Sequence, residues 1–370
     1  VTTKRLLIVV GTRPNFIKVS QFRFCNQAMG SPFDIRILHT SQHHDSQMAE
    51  VFFKQIRLDP DIILDPIQGS PIARTATMLA ALEDQMLKEK PDLVLVVGDV
   101  DSTFAGAWVA NRLGIPCAHV ESGLRSRDRS MPEEINRILT DHLCDHFFVT
   151  EPSGSTNLLA EGKHADQISF AGNTMIDTLV AFDEEIQSND IRSRLGIQGQ
   201  DYLLMTMHRP ATVDNLVGLQ QLASLLEEIT RLYPIVFPVH PRTRNNIKAM
   251  GLSERFSAIP GLLFTDPLDY FAFQALILHA KAVITDSGGV QEETTFRGVP
   301  CLTLRPNTER PVTVEVGTNV LVSSEPKEII GMLNDIGSGR FKKGSIPQGW
   351  DGHATARILE ACVQFLKKKA

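Results

Sequence analysis

The sequence predicts an α/β protein built from two Rossmann-like, doubly wound parallel sheets. Three observations lead there. Short apolar runs alternate with stretches of helical periodicity, the signature of β/α units. Several runs are apolar at every position, as strands covered on both faces require. The alternation stops at a polar stretch in mid-chain and then restarts, and 370 residues leave room for two cores.

In chain order, strands are predicted at Leu6 to Val10, Asp34 to His39, Leu93 to Val97, Cys117 to Val120, Phe147 to Val149 and Ile168 to Ala171. Between them lie helices at Phe16 to Gln27, Ile72 to Lys88, Thr103 to Leu113 and Pro132 to Leu143. In the last, Ile135, Ile138, Leu139 and Leu143 fall on one face. After Asp177 an acidic helical run enters the polar stretch Gln187 to Gln200, so a first domain is expected over 1–186 and a second over 187–352. The second repeats the pattern with strands Tyr202 to Met207, Ile235 to His240, Leu262 to Thr265 and Ala282 to Thr285, and helices Asn215 to Tyr233 and Tyr270 to Ala280. A terminal helix within 353–370, after the broken stretch Gly337 to Gly352, is expected to pack back on the first domain.

Charge and cysteine usage exclude several classes. With 37 Lys and Arg against 43 Asp and Glu, the formal net charge is −6, so no basic field draws in nucleic acid or an anionic membrane. Cys25, Cys117, Cys144, Cys301 and Cys362 are odd in number and scattered, which implies neither a disulfide framework nor a structural zinc. No apolar stretch approaches membrane length, and Leu6 to Val10 is too short for a signal peptide. A soluble cytoplasmic protein is expected. His43, His44 and Asp45 make no metal site, because adjacent histidines diverge and no third ligand is evident. The first strand is not followed by GxGxxG, which argues against a dinucleotide cofactor.

The informative polar clusters all sit just past the C-terminal end of a predicted strand: Gly11 to Pro14, Gly98-Asp99, Glu121 to Gly123, His208-Arg209, His240 to Arg242, and Asp286 to Gly289. Ligands of open α/β sheets bind beyond those ends, so the clusters are expected to face one cleft between the domains. Ser287, Gly288 and Gly289, entering a helix, make a phosphate cradle of free N–H groups. Glu292 or Glu293, one turn on, is suited to accept from ribose hydroxyls. Arg13 and Lys18 lie near a helix start opened by Pro14, where an Arg can clamp a carboxylate or phosphate. Asp99, Glu121 and Glu133 are candidates for proton chemistry, and several carboxylates around one cleft raise each other's proton affinity. A helix-terminal role would explain Glu133 equally well, and an N-cap role Asp99. His208 and His240, each followed closely by an Arg, suit anion binding or proton transfer.

Eight segments together carry a resemblance. GTRPNFIK at 11–18, SQHHD at 41–45, VVGDVDST at 96–103, HVESGLRS at 119–126, MPEEINR at 131–137, GNTMIDTL at 172–179, TDSGGVQEE at 285–293 and ERPVTVEVGT at 309–318 resemble, in order, the non-hydrolysing UDP-N-acetylglucosamine 2-epimerase family. The resemblance implies two domains of glycosyltransferase-B type, a homodimer, and reversible C2 epimerisation of UDP-N-acetylglucosamine and UDP-N-acetylmannosamine for bacterial surface polysaccharide. It implies no redox cofactor or metal. It matches Asp99, Glu121 and Glu133 to the family's acidic catalytic residues, His208 to its catalytic histidine, and Arg13 and Lys18 to its cationic contacts. Ser287, Gly288, Gly289 and Glu293 match its UDP contacts. Gln42, His43, Arg74, Arg209 and His240 match the lining of a second, activating sugar-nucleotide site found in some members. Four positions depart: Asn15 stands for the commoner Glu, Ser41 for Gly, and Pro210-Ala211 for Glu-Asn, and the last two make weak or absent activation the expectation.

The implied reaction is elimination followed by re-addition. The C2 proton is not acidic, so it leaves as UDP departs from C1, giving a glycal and bound UDP. One group takes the proton and another returns one to the opposite face, while cations and a helix N-terminus stabilise the diphosphate. A hydrolysing epimerase, a retaining glycosyltransferase, an epimerase of a diacetamido uronic acid sugar nucleotide and a UDP-sugar sensor are the alternative readings.

Overall fold

Parallel strands have to be covered on both faces, and the apolar runs pair edge to edge while helices pack on the faces of the sheets they form. The computed structural model describes residues 3–42 and 52–369, apart from the side chains of Pro210 and Ala211. It separates into one unit of residues 1–182 with 348–370 and a second of 183–347.

The first unit contains β1 (Lys4–Val10), β2 (Phe33–His39), β3 (Ile62–Ile63), β4 (Leu93–Val97), β5 (Cys117–Val120), β6 (His146–Val149) and β7 (Ile168–Phe170). They form a parallel sheet in the order β3-β2-β1-β4-β5-β6-β7. Strand order reverses between β1 and β4, the switch point where such sheets bind ligands. Register aligns Val9 with Val96 and Val97 with Val120, so the chain leaves β1, β4 and β5 side by side. Leu7, Val9, Val94 and Val96 pack with Met78, Leu82 and Met86 of the helix Pro71–Glu89 in one core. Each such fully buried side chain contributes about 1.5–3 kcal/mol.

The second unit holds β8 (Leu203–Thr206), β9 (Ile235–Pro238), β10 (Leu262–Thr265), β11 (Ala282–Thr285), β12 (Cys301–Leu304) and β13 (Asn319–Val322), in the order β10-β9-β8-β11-β12-β13. Its switch point lies between β8 and β11, where Thr206 pairs with Thr285.

The structure differs from the sequence expectation in several places. The helix expected over Phe16 to Gln27 is two, Arg13–Val19 and Phe22–Ala28. The break falls at Ser20, whose Oγ is 2.8 Å from Thr178 Oγ1 on a neighbouring helix. β3, β12 and β13 are two to four residues long and were not anticipated. The units divide at Phe182/Asp183 and Pro347/Gln348, where the expected boundaries stood at 186/187 and 352/353. The helix Asp183–Gln187 packs on the helix Tyr270–His279, and Asp183 is paired with Arg297. Ile191 and Ile197 are buried, so the polar stretch is part of the second unit. Trp350 is buried in the first, its Nε1 donating to Thr150 O at 3.0 Å.

The helix Ala354–Lys369 packs against the helices Phe22–Ala28 and Thr174–Ala181. Asp177 caps it, accepting from Ala354 N at 3.1 Å and Thr355 N at 2.6 Å. Burial pushes the Asp177 carboxyl above its ordinary range. Among the described residues no helix is long and apolar enough to cross a membrane.

Candidate active site

In the first unit the turns after β1, β4 and β5 supply the charged groups. Gly11 and Thr12 leave β1 into the helix Arg13–Val19, and Asn15 Oδ1 accepts from their N–H groups at 3.1 and 3.2 Å. Asn15 Nδ2 donates to Val97 O at 3.0 Å, which joins the ends of β1 and β4. One turn on, Lys18 reaches the Glu121 carboxylate, and both side chains are buried. Glu121 has φ of +69°, a left-handed backbone that a non-glycine residue rarely adopts. Its N–H and that of Ser122 both donate to Phe148 O, at 3.0 and 3.1 Å.

Asp99 is held by Arg137, whose guanidinium also reaches Glu134 Oε2 at 2.8 Å. Glu134 accepts from Ser126 N and Arg127 N, both at 2.9 Å. Burial would push Glu134 up, but these bonds and Arg137 hold its carboxyl below the ordinary range. Of the two adjacent glutamates, Glu134 therefore locks the loop after β5, while Glu133 is exposed on the first turn of the helix Pro132–Leu143. Arg13 lies over the Phe52 ring, 4.8 Å from its centroid. Gln42 Oε1 accepts from Ser102 N at 3.2 Å, and Arg74 is half-buried on the helix Pro71–Glu89. His43 lies outside the described residues.

In the second unit Asp286 organises the switch point. Its Oδ2 accepts from His208 N at 2.9 Å and Arg209 N at 2.8 Å, and its Oδ1 is 2.9 Å from His208 Nδ1. Asp286 is 1% exposed and His208 51%, so the dyad turns His208 outward with Nδ1 occupied. Burial alone would raise the Asp286 carboxyl, but His208 and the two N–H donors hold it below its usual range. Arg209 Nε donates to Asp286 O at 3.0 Å. His240 caps the helix Pro241–Ala249, Nδ1 accepting from Arg242 N at 3.2 Å.

The helix Gly288–Arg297 starts at the partly exposed Ser287, Gly288 and Gly289, which leaves its first N–H groups available to an anion. Beneath it Glu292 pairs with Arg310 at 2.9 Å, and Glu309 pairs with Arg310 and with Arg305 at 2.8 Å. A Cβ on Gly288 would lie 2.5 Å from Arg310 Nη1 and 2.6 Å from Glu309 Oε1. Glu293 is pushed up to about 8 by burial, with the neighbouring Glu292 charge adding to it. Sequence reasoning missed Arg137, Asp286, Glu309 and Arg310 as individual residues, although each lies in a segment it singled out. Among the described residues no cluster of three His, Cys, Asp or Glu side chains is placed to hold a metal.

Two parallel-sheet units with polar switch points make this an α/β protein of the glycosyltransferase-B type. Residues 27–363 match the family model described as UDP-N-acetylglucosamine 2-epimerase, and the chain belongs to that family. It is 39% identical over 365 residues to the UDP-N-acetylglucosamine 2-epimerase of Methanocaldococcus jannaschii, covering 96% of this chain and 98% of that relative. It is also 39% identical over 362 residues to the UDP-2,3-diacetamido-2,3-dideoxy-D-glucuronate 2-epimerase of Pseudomonas aeruginosa, covering 96% and 98%. The crystal structure of the Methanocaldococcus jannaschii UDP-GlcNAc 2-epimerase in complex with UDP-GlcNAc and UDP matches with a TM-score of 0.88 and 37% identity, covering 97% of this chain and 99% of that one.

Proposed function

We propose that the chain interconverts UDP-N-acetylglucosamine and UDP-N-acetylmannosamine by inverting C2 of the sugar. The observation that carries this is the buried contact of Lys18 with Glu121 beside Asp99, at the switch point of the first unit. Proton removal from a weakly acidic carbon needs a carboxylate whose position is fixed, and Glu121 is held through both its backbone and Lys18. In the forward reaction a carboxylate takes the C2 proton, and the C1–O bond breaks with its electron pair leaving on UDP. A second acid then protonates the opposite face of C2, and the UDP oxygen re-adds to C1. Asp99, Glu121 and Glu133 share the proton transfers. The helix start at Ser287, Gly288 and Gly289 receives the diphosphate, Glu293 the ribose, and His208, anchored by Asp286, faces the leaving group, while Arg13 and Lys18 serve as cationic contacts of the first unit.

We further infer a cytoplasmic homodimer. Neighbouring helices of the first unit leave Ile72, Trp108 and Leu139 exposed, which supports an apolar contact between copies, and five free cysteines suit a reducing compartment. Gln42, His43, Arg74, Arg209 and His240 are the candidates for an activating site, with weak or absent activation expected from Pro210-Ala211.

The test is product analysis by NMR in heavy water with no added cofactor. UDP-N-acetylglucosamine should give UDP-N-acetylmannosamine with deuterium at C2 and no free UDP. Protium retained at C2 would overturn the elimination. Turnover confined to a diacetamido uronic acid substrate would instead assign the specificity of the Pseudomonas aeruginosa relative.

A further inference from the structure

His119 lies on β5 with no exposed surface, and both of its ring nitrogens are engaged. Nε2 is 2.7 Å from the carbonyl oxygen of Gly98, just past β4. Nδ1 is 2.7 Å from Asp141 Oδ1, on the helix Pro132–Leu143. A carbonyl oxygen only accepts, so Nε2 carries a hydrogen.

Asp141 holds more than the ring. Its Oδ2 accepts from Gly123 N at 3.0 Å and from Arg125 Nη2 at 2.7 Å. Burial alone would push the Asp141 carboxyl up, yet His119 and Arg125 outweigh it and hold the group below its ordinary range. Arg125 is in turn paired with Glu161, Nε to Oε1 at 2.9 Å, so His119, Asp141, Arg125 and Glu161 form one connected run.

We infer that His119 is a positioning residue for the carboxylates Asp99 and Glu121, an inference that rests on the epimerase reading above. Gly98 has φ of +73°, and the His119 bond fixes the carbonyl of that turn immediately before Asp99. A Cβ on Gly98 would lie 3.2 Å from Asn15 Nδ2 and 3.3 Å from Lys18 Nζ, so the same turn abuts the Lys18 ammonium that meets Glu121. Through Asp141 the ring is also linked to Gly123 N, two residues beyond Glu121. One buried His–Asp pair thereby ties together the turns that carry both carboxylates. Misplacing a reacting group by about 1 Å costs on the order of a hundredfold in rate, which is why a residue remote from substrate matters here.

The test uses the full-length protein and the kcat-against-KM split. His119→Asn should lower kcat by about a hundredfold with little change in KM for UDP-N-acetylglucosamine and none in UDP affinity. An unchanged kcat, or a rise in KM alone, overturns the positioning role. If His119→Asn does not fold, Asp141→Asn, which keeps the shape of the side chain, carries the same kinetics. Lack of epimerase activity in the unmodified protein would remove the proposed reaction itself, whereas an unchanged kcat in the variants removes only the positioning role, so the two failures are distinct.

Discussion

The Lys18 ammonium touches the Glu121 carboxylate, and each side chain keeps only 4% of its surface exposed. Each group compensates the hydration the other has lost, so removing one partner leaves a buried charge uncompensated. Lys18→Met should therefore cost about 3–5 kcal/mol of stability, read from urea unfolding. The double variant Lys18→Met with Glu121→Gln should lose much less than the sum of the two single changes. Strict additivity would mean that the two residues are not an energetic unit.

Glu121→Gln and Asp99→Asn should each lower turnover by at least about a hundredfold, the lower end of what a positioned acid or base contributes. UDP affinity, measured by calorimetry, should stay as it is. Glu133→Gln should also be slow. A modest effect there would leave Glu133 as a charge favouring the helix N-terminus on which it is exposed.

Asp286 has its carboxyl held below the ordinary range in the folded chain, by His208 and two backbone donors acting against burial. Its contribution to stability is therefore present above about pH 3.9, the unfolded value, and is lost as the pH falls through the lower folded value. Asp286→Asn should be less stable than the unmodified protein at neutral pH, with the difference shrinking under acid. Melting curves across that range check the sign. A constant difference would show that Asp286 acts through shape alone. The same variant should lower kcat, since His208 loses the anchor of its Nδ1.

Glu293 behaves oppositely. Its carboxyl is raised to about 8 by burial and the neighbouring Glu292, so the folded state favours the protonated form. Stability associated with it is complete below about pH 4.3 and is lost as the pH rises towards the folded value. Glu293→Gln, neutral and of the same shape, should gain thermal stability relative to the unmodified protein between about pH 5 and pH 8. The gain should level off above that. A gap independent of pH would place the Glu293 charge elsewhere.

Gly288→Val should abolish UDP binding. The added Cβ meets the Arg310 and Glu309 side chains at 2.5 and 2.6 Å, so the helix start must shift or the ion pair beneath it must open. Unchanged UDP affinity would remove this turn from the nucleotide site.

The two α/β halves were legible because their signal is local. A parallel strand buried on both faces needs an unbroken apolar run, and Leu6 to Val10 or Leu93 to Val97 displays one without reference to the rest of the chain. The polar clusters were legible for the same reason, since each follows such a run. The short strands β3, β12 and β13 were not, because a few residues of mixed character gain their strand geometry from the neighbour they pair with. The unit boundary was misjudged by a few residues because a polar surface and a linker have similar compositions, and only packing on the helix Tyr270–His279 separates them.

By itself the sequence determined the fold class, the ends of the central strands, and the residue types gathered there. Only the tertiary structure decided which charge meets which. Lys18 finds Glu121, Arg137 finds Asp99, and Asp286 finds His208 across long stretches of chain, through strand order and register that no local pattern encodes. It also decided between Glu133 and Glu134. Successive residues on a helix point about 100° apart, and the rotation fixed by packing sends Glu134 to Arg137 and leaves Glu133 exposed.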